Sequence, residues 1–124
     1  MTWWEWILIG VAGAAGAPLR YVVDVALSER VDGAFPLGTL VVNISGSFVL
    51  GLITGLAMYH GFPKASREVL GTGFVGAYTT FSTFTLETMQ LIEDRQTRST
   101  SINIALSVGA GALAAAAGLA LAGL

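Results

Sequence analysis

The sequence predicts an all-α integral membrane protein in which four transmembrane helices form a single domain over residues 1–124. Its composition indicates this fold class, because 54% of the residues are hydrophobic and only 11% are charged. A soluble domain is usually about 25% charged. The mean hydropathy is +0.72. Each crossing of a bilayer takes about 20 apolar residues, so 124 residues leave room for four crossings with short connections.

The same composition limits the chemistry. The chain has no cysteine, which excludes disulfides and thiolate metal sites. Its net charge of −2 is uninformative. The lipid bilayer is the expected surrounding, and no nucleic-acid partner is expected.

The first predicted span covers residues 3–27. Trp3, Trp4 and Trp6 suit the interfacial aromatic belt at its beginning. This N-terminal run has neither a basic n-region nor a convincing cleavage site, so we expect it to be a span and not a removable signal peptide.

The end of the first span is polar. Arg20 and Asp24 lie four residues apart and therefore share one helical face. The charged, Gly- and Pro-containing segment at 28–36 predicts a loop. The second span is predicted over residues 37–59.

The third span, predicted over residues 67–91, contains the most informative pattern. Its middle reads GTGFVGAYTTFSTFT, three glycines followed by five hydroxyls in seven residues. This pattern predicts a helix that stops and restarts inside the membrane at Thr79 or Thr80, and such irregular backbone is tolerated only around a buried site or cavity. The restart would present N–H groups to an anion, and the freed carbonyls could hold a cation.

Polar side chains recur on the other spans. A loop is predicted at residues 93–101 and the fourth span at 102–124. Residues four apart on a helix share a face, and this spacing relates Thr39, Asn43 and Ser47 in the second span and Asn103 and Ser107 in the fourth. An amide in hydrocarbon is costly unless it is paired, so Asn43 should face protein, water or an ion. The alternative is an ordinary interhelical hydrogen bond.

Two phenylalanines follow the predicted break. Phe81 and Phe84 are three residues apart on one helical face, and the positive edge of an aromatic ring can attract a small anion. Packing alone would also explain them. Carboxylates are scarce at mid-membrane depth, because Glu5 lies near a span end and Glu87 lies late in the third span. This scarcity favours a passive anion path over proton-coupled transport.

Basic residues are nearly balanced between the two ends of the spans. One end carries Lys64 and Arg67, and the other carries Arg30, Arg95 and Arg98, with Arg20 close by. The positive-inside rule therefore specifies orientation only weakly. Two opposite copies could associate as an antiparallel pair, or the small bias could still fix one orientation.

Three segments together resemble the Fluc (CrcB) fluoride channel family. They are GAPLRY at 16–21, GTLVVNISGSFVLG at 38–51 and GFVGAYTTFSTF at 73–84. The resemblance implies an antiparallel, dual-topology homodimer in the cytoplasmic membrane, with two fluoride pores and one structural sodium ion at the dimer interface.

The resemblance also implies roles for individual residues. Asn43, Phe81 and Phe84 resemble the pore asparagine and paired phenylalanines. The backbone carbonyls of Gly76 and Thr79 match the sodium ligands. Further matches are Ser82 and Thr83 as hydroxyl donors, Arg20 in the aqueous vestibule, and Ser107 as a pore serine of the fourth span. Thr39 completes the expected pore lining through its place on the second span. Asn103 stands where some relatives have a tyrosine.

The expected function is a fluoride-selective channel that passively exports fluoride and lowers its intracellular level. A small dual-topology drug/proton exporter is one alternative, but it would need a membrane-embedded carboxylate. A non-transporting membrane assembly subunit is another, and it would not require polar residues on three spans. An enzyme is not expected, because the lone His60 lies in a loop and no nucleophile and base can be paired by spacing.

Overall fold

The computed structural model describes residues 2–124, and these residues are helical with short connections and no strand. The helices are α1 (Trp3–Ser28), α2 (Leu37–Tyr59), α3 (Lys64–Arg67), a π-helical stretch (Glu68–Val75), α4 (Gly76–Tyr78), α5 (Ser82–Glu93) and α6 (Thr97–Ala122). Because α3, the π-helical stretch and α4 follow one another without a gap, we call residues 64–78 together the 64–78 segment. Three of the described helices, α1, α2 and α6, are long and apolar enough to cross a membrane.

Helices α2 and α6 pack closely and run in the same direction. A Cβ on Gly51 would overlap the Ala115 carbonyl, and one on Gly55 would overlap Ala122. Residue numbers therefore rise together along both helices, which makes them parallel. Glycine at the contact lets the two backbones approach closely, as is common between membrane helices. A parallel pair requires the chain between them to return along their length.

The 64–78 segment and α5 provide this return. Together they run antiparallel to α2, and the contacts that set this direction are Leu50 with Gly71, Gly46 with Thr79, Asn43 with Thr80, and Thr39 with Glu87. Helix α1 runs parallel to the 64–78 segment, since Gly73 packs on Ile9 and Gly16 packs on Phe74. The largest fully buried side chains lie on α2, α5 and α6: Val42, Leu91 and Asn103.

The interruption of the third predicted span begins at Thr79. This residue is extended, with φ −82° and ψ 162°, and α5 begins at Ser82. The prediction of a restart at Thr79 or Thr80 is therefore wrong by two to three residues. The cause is that the Thr80 side chain and backbone both make hydrogen bonds outside the helical pattern, which keeps Thr80 out of either helix.

The connection between α5 and α6 is shorter than predicted. The predicted loop at 93–101 is wrong in its second half, because α6 begins at Thr97. Arg95 has a positive φ of 57° and reverses the chain, and the Gln96 N–H donates to the Leu91 carbonyl at 2.9 Å. The Thr100 hydroxyl donates to the Gln96 carbonyl at 2.8 Å. Hydroxyl side chains that bond to their own helix can thus continue a helix through a polar sequence.

Candidate functional site

The break between α4 and α5 is held by the side chain of Asn43. Its Nδ2 donates to the Thr80 carbonyl at 2.8 Å, and its Oδ1 accepts from the Thr80 N–H at 2.9 Å. The carboxamide therefore satisfies both backbone polar groups of one residue in the interruption. The interhelical hydrogen bond considered for Asn43 is present, and its role in a pore stays a prediction.

The hydrogen bonds at the break also free backbone carbonyls. In an unbroken helix the Thr80 N–H would donate to the Gly76 carbonyl, and the Thr83 N–H would donate to the Thr79 carbonyl. The Thr80 N–H donates instead to Asn43, and the Thr83 N–H donates to the Thr80 hydroxyl at 3.1 Å. The two carbonyls assigned to sodium by resemblance have thus each lost their helical donor.

The two phenylalanines flank the start of α5. Their ring centroids are 6.0 Å apart and the ring planes are inclined by 45°. Phe81 is 79% exposed, whereas Phe84 is half-buried. An exposed aromatic ring of this size on the surface of the chain is available for contact with another molecule.

Two of the four hydroxyls assigned to the pore, those of Thr39 and Ser82, have a neighbouring oxygen within hydrogen-bond distance, and so does Ser47, which shares a helical face with Thr39. The Thr39 hydroxyl donates to Glu87 Oε1 at 2.5 Å, and the Ser47 hydroxyl donates to the Asn43 carbonyl at 2.8 Å. Ser82 is exposed, with its Oγ 3.4 Å from that of Thr80. Spacing in the sequence relates residues only within one helix, so the pairing of Thr39 with Glu87 could not be predicted from it.

Ser107 differs from these hydroxyls. Its Oγ is buried, and within residues 2–124 it has no hydrogen-bond partner. Ser47 lies beside Gly111, so Ser107, one turn earlier on α6, lies at the level of Asn43 on the parallel helix α2. A buried hydroxyl without a partner is costly, which makes this oxygen a candidate for contact with a bound ion or water.

Two pockets adjoin the break on different sides. A pocket of about 150 Å³ is lined by residues that include Arg20, Asp24, Thr39 and Thr83. It joins the polar end of α1 to the start of α5. A groove of about 260 Å³ between α2 and the break includes Asn43, Ser47, Thr79, Thr80 and Phe81 among its lining residues. Polar residues from separate parts of the sequence therefore meet around Thr80.

Asn103 is almost completely buried, at 1% exposure. Its Nδ2 donates to the Thr88 hydroxyl of α5 at 3.1 Å. The sequence indicated that Asn103 belongs to the polar face of its helix, but Thr88 was not among the predicted residues. The feature that points to Thr88 as a functional residue is its position one turn after Phe84, on the side of α5 that faces α6.

The long apolar helices define a multi-pass membrane protein, and polar side chains of several helices converge on its interrupted helix. Comparison with known proteins specifies the family: the profile described as CrcB-like protein, Camphor Resistance (CrcB), matches residues 7–119. The chain belongs to this family.

Several relatives are similar over nearly the whole chain. "Fluoride-specific ion channel FluC 1" of Symbiobacterium thermophilum is 50% identical, over 94% of this chain and 96% of the relative. A relative of the same name from Leifsonia xyli is 47% identical, over 95% of this chain and 82% of the relative. "Fluoride-specific ion channel FluC" of Rhizobium meliloti is 45% identical, over 93% of both chains.

Proposed function

We propose that this chain is a fluoride-selective ion channel, which lets fluoride leave the cell passively and so lowers its intracellular concentration. The observation that carries the proposal is the 45% to 50% identity, over nearly the whole chain, to proteins named fluoride-specific ion channels. These names belong to channels and not to enzymes. They do not favour the drug exporter or the assembly subunit.

The proposed channel crosses the cytoplasmic membrane four times, and the direction of the helices supports this number. Since α2 and α6 are parallel, the 64–78 segment and α5 together return the chain along their length and would form the third crossing. The interruption at residues 79–81 then lies within the membrane. Backbone that is not helical is tolerated at that depth only around a protein site or a cavity.

The fluoride path is lined by the groups around this interruption. Fluoride is small and strongly hydrated, so a path must replace its water with hydrogen-bond donors. The proposed lining comprises Thr39, Asn43, Phe81, Ser82, Thr83, Phe84 and Ser107, with Arg20 in the aqueous vestibule. The buried Ser107 hydroxyl supports the proposal because it lacks a partner within the described residues. Thr39 must exchange its bond to Glu87 for one to the passing ion.

The functional unit is an antiparallel homodimer. Helix directions group Lys64 and Arg67 at one end and Arg30, Arg95 and Arg98, with Arg20 close by, at the other, so the basic excess of either end is small. The groove beside Thr79 and the exposed Phe81 ring offer a surface for the second copy.

A structural sodium ion on the dimer axis is held by the carbonyls of Gly76 and Thr79 from both subunits. The fit is supported by the two carbonyls having lost their helical donors. Oxygen ligands suit a hard cation, and a bound cation would compensate the partial negative charge of these groups.

Fluoride efflux from liposomes tests the function directly. We expect purified protein to release fluoride rapidly from loaded vesicles under a potassium gradient with valinomycin, and to release chloride far more slowly. Protein-free vesicles are the control. Comparable release of the two halides, or no fluoride release, would contradict the proposal.

A further inference from the structure

Asn103, Thr88 and Phe84 form a chain of hydrogen bonds with a defined direction. Asn103 Nδ2 donates to Thr88 Oγ1 at 3.1 Å, and that hydroxyl donates to the Phe84 carbonyl at 2.7 Å. Because the only hydroxyl hydrogen of Thr88 points to Phe84, its lone pairs remain to accept from Asn103. The amide is 1% exposed, so its donor would be costly to leave unpaired.

The hydrogen bonds of Asn103, Thr88 and Phe84 provide one of the few side-chain links between α5 and its neighbouring helices. The helix begins after the interruption and packs against α6 and, less extensively, α2. Within residues 2–124, two side-chain hydrogen bonds connect α5 to these neighbours, one from Thr39 to Glu87 and one from Asn103 to Thr88. Phe84 lies in the first turn of α5, far along the helix from the covalent turn into α6.

Thr85 provides an internal comparison. Its hydroxyl donates to the Phe81 carbonyl at 2.9 Å, the same type of bond that Thr88 makes to Phe84. Thr85 is exposed, and within the described residues no side chain of α6 donates to it. Thr88, which is buried, therefore differs from Thr85 in its burial against α6 and in its hydrogen bond to that helix.

We propose that Asn103 is a positioning residue for Phe84, which it fixes against α6 through the Thr88 hydroxyl. The inference rests on the proposed fluoride conduction, to which it adds a residue that does not contact the ion. In this chain the amide at position 103 sets where the Phe84 ring stands beside the path.

The first test measures fluoride efflux per reconstituted, folded protein. Asn103→Leu and Thr88→Val both remove the interhelical bond, and we expect each to lower efflux by about three- to twentyfold, the range that single interhelical hydrogen bonds span. Thr88→Ser retains the hydroxyl and should restore efflux to near the wild-type value. Thr85→Val, the matched control, should change efflux less than about twofold, because it loses only the local bond within the helix.

The second test measures directly whether the Phe84 ring keeps one position. With 4-fluorophenylalanine at position 84, the ¹⁹F resonance should be a single narrow line in the parent and in Thr85→Val. Asn103→Leu and Thr88→Val should broaden or split it. Because Thr88→Val preserves side-chain shape, it decides the question if Asn103→Leu fails to fold.

The outcomes separate the two proposals. Unchanged efflux and an unchanged ¹⁹F line in folded Thr88→Val would overturn the positioning role while leaving the channel intact. Equal losses in Thr85→Val and Thr88→Val would also overturn it. Absence of fluoride efflux from the parent protein would instead contradict the proposed function, and the ¹⁹F lines would still decide whether Asn103 positions the ring.

Discussion

At the scale of single residues, the Asn43 carboxamide substitutes for a missing turn of helix. It bonds to both the N–H and the carbonyl of Thr80, which would otherwise be left without partners in the interruption. By taking the Thr80 N–H, it also deprives the Gly76 carbonyl of its helical donor. One side chain thus stabilises the break and also frees a carbonyl that the proposed sodium site would use.

Phe81 and Phe84 are predicted to serve conduction more than folding. Changing either to Ile keeps an apolar side chain but removes the positive ring edge, so fluoride efflux should fall severely while the protein stays folded. If packing were their only role, the change would cost about 1 to 2 kcal/mol of stability and leave efflux per folded protein near normal. Size-exclusion chromatography and normalised efflux on each variant separate these outcomes.

Arg95 is strained by its left-handed backbone, with φ of 57°. Arg95→Gly should raise stability by about 0.5 to 1 kcal/mol, because glycine adopts this conformation without a Cβ clash at the end of a helix. Arg98→Gly removes the same charge from the same end but lies in the first turn of α6, in helical backbone, where glycine relieves no strain and should cost up to about 1 kcal/mol. Melting temperatures in detergent should therefore move in opposite directions, and a fall in both would contradict this assignment of strain.

At the scale of helices, the sequence predicted the features that follow from a local pattern of residues and missed those that depend on contacts between helices. Helix α2 occupies residues 37–59, the range predicted for the second span, because an apolar run bounded by Pro and Gly is readable from sequence. The start of α6 was misplaced because hydroxyls that bond to their own helix look like loop residues. The π-helical stretch and the partners of Thr39, Asn43 and Asn103 could not be predicted, since they depend on contacts between helices.

The close contact of α2 and α6 predicts a position-specific cost for one added methyl group. A Cβ on Gly118 would overlap the Phe48 carbonyl, whereas a Cβ on Gly109 meets nothing within 4 Å. Gly118→Ala should lower stability by about 1 to 3 kcal/mol, because backbone cannot move aside as a flexible side chain can. Gly109→Ala should be neutral or slightly stabilising. Equal melting temperatures for the two variants would contradict the observed α2–α6 packing.

At the scale of the whole molecule, the single chain leaves its polar centre accessible. The groove at Asn43, Thr79 and Phe81 is open at the surface of the chain, and the freed Gly76 carbonyl belongs to a residue that is itself exposed. Polar backbone facing hydrocarbon is costly. A second copy and a bound cation would together cover these groups, which connects the proposed dimer to the proposed sodium site.

Sodium is predicted to stabilise the dimer. A ligand that binds only the folded assembly raises its stability with concentration, so the melting temperature in detergent should rise as sodium replaces N-methylglucamine at constant ionic strength. Potassium, which is larger, should have a smaller effect. Identical melting curves in the three cations would argue against a selective site at Gly76 and Thr79.

Dual topology is predicted because neither end of the subunit has a clear excess of basic residues. The chain has no native cysteine, so single cysteines can report the two ends: Pro63→Cys lies in the exposed connection between α2 and α3, and Ala34→Cys in the exposed connection between α1 and α2. In intact cells, a membrane-impermeant maleimide should label about half of each variant, and permeabilisation should expose the rest, as expected when charge bias is weak.

A charge variant provides the control for this experiment. Replacing Lys64 and Arg67 by Gln leaves Arg30, Arg95 and Arg98 without basic residues to oppose them, so one orientation should then dominate and labelling of the two cysteines should become complementary. Complementary labelling already in the unaltered background would show a single orientation. That result would contradict the antiparallel dimer, since both orientations must be present in one membrane for such a pair to form.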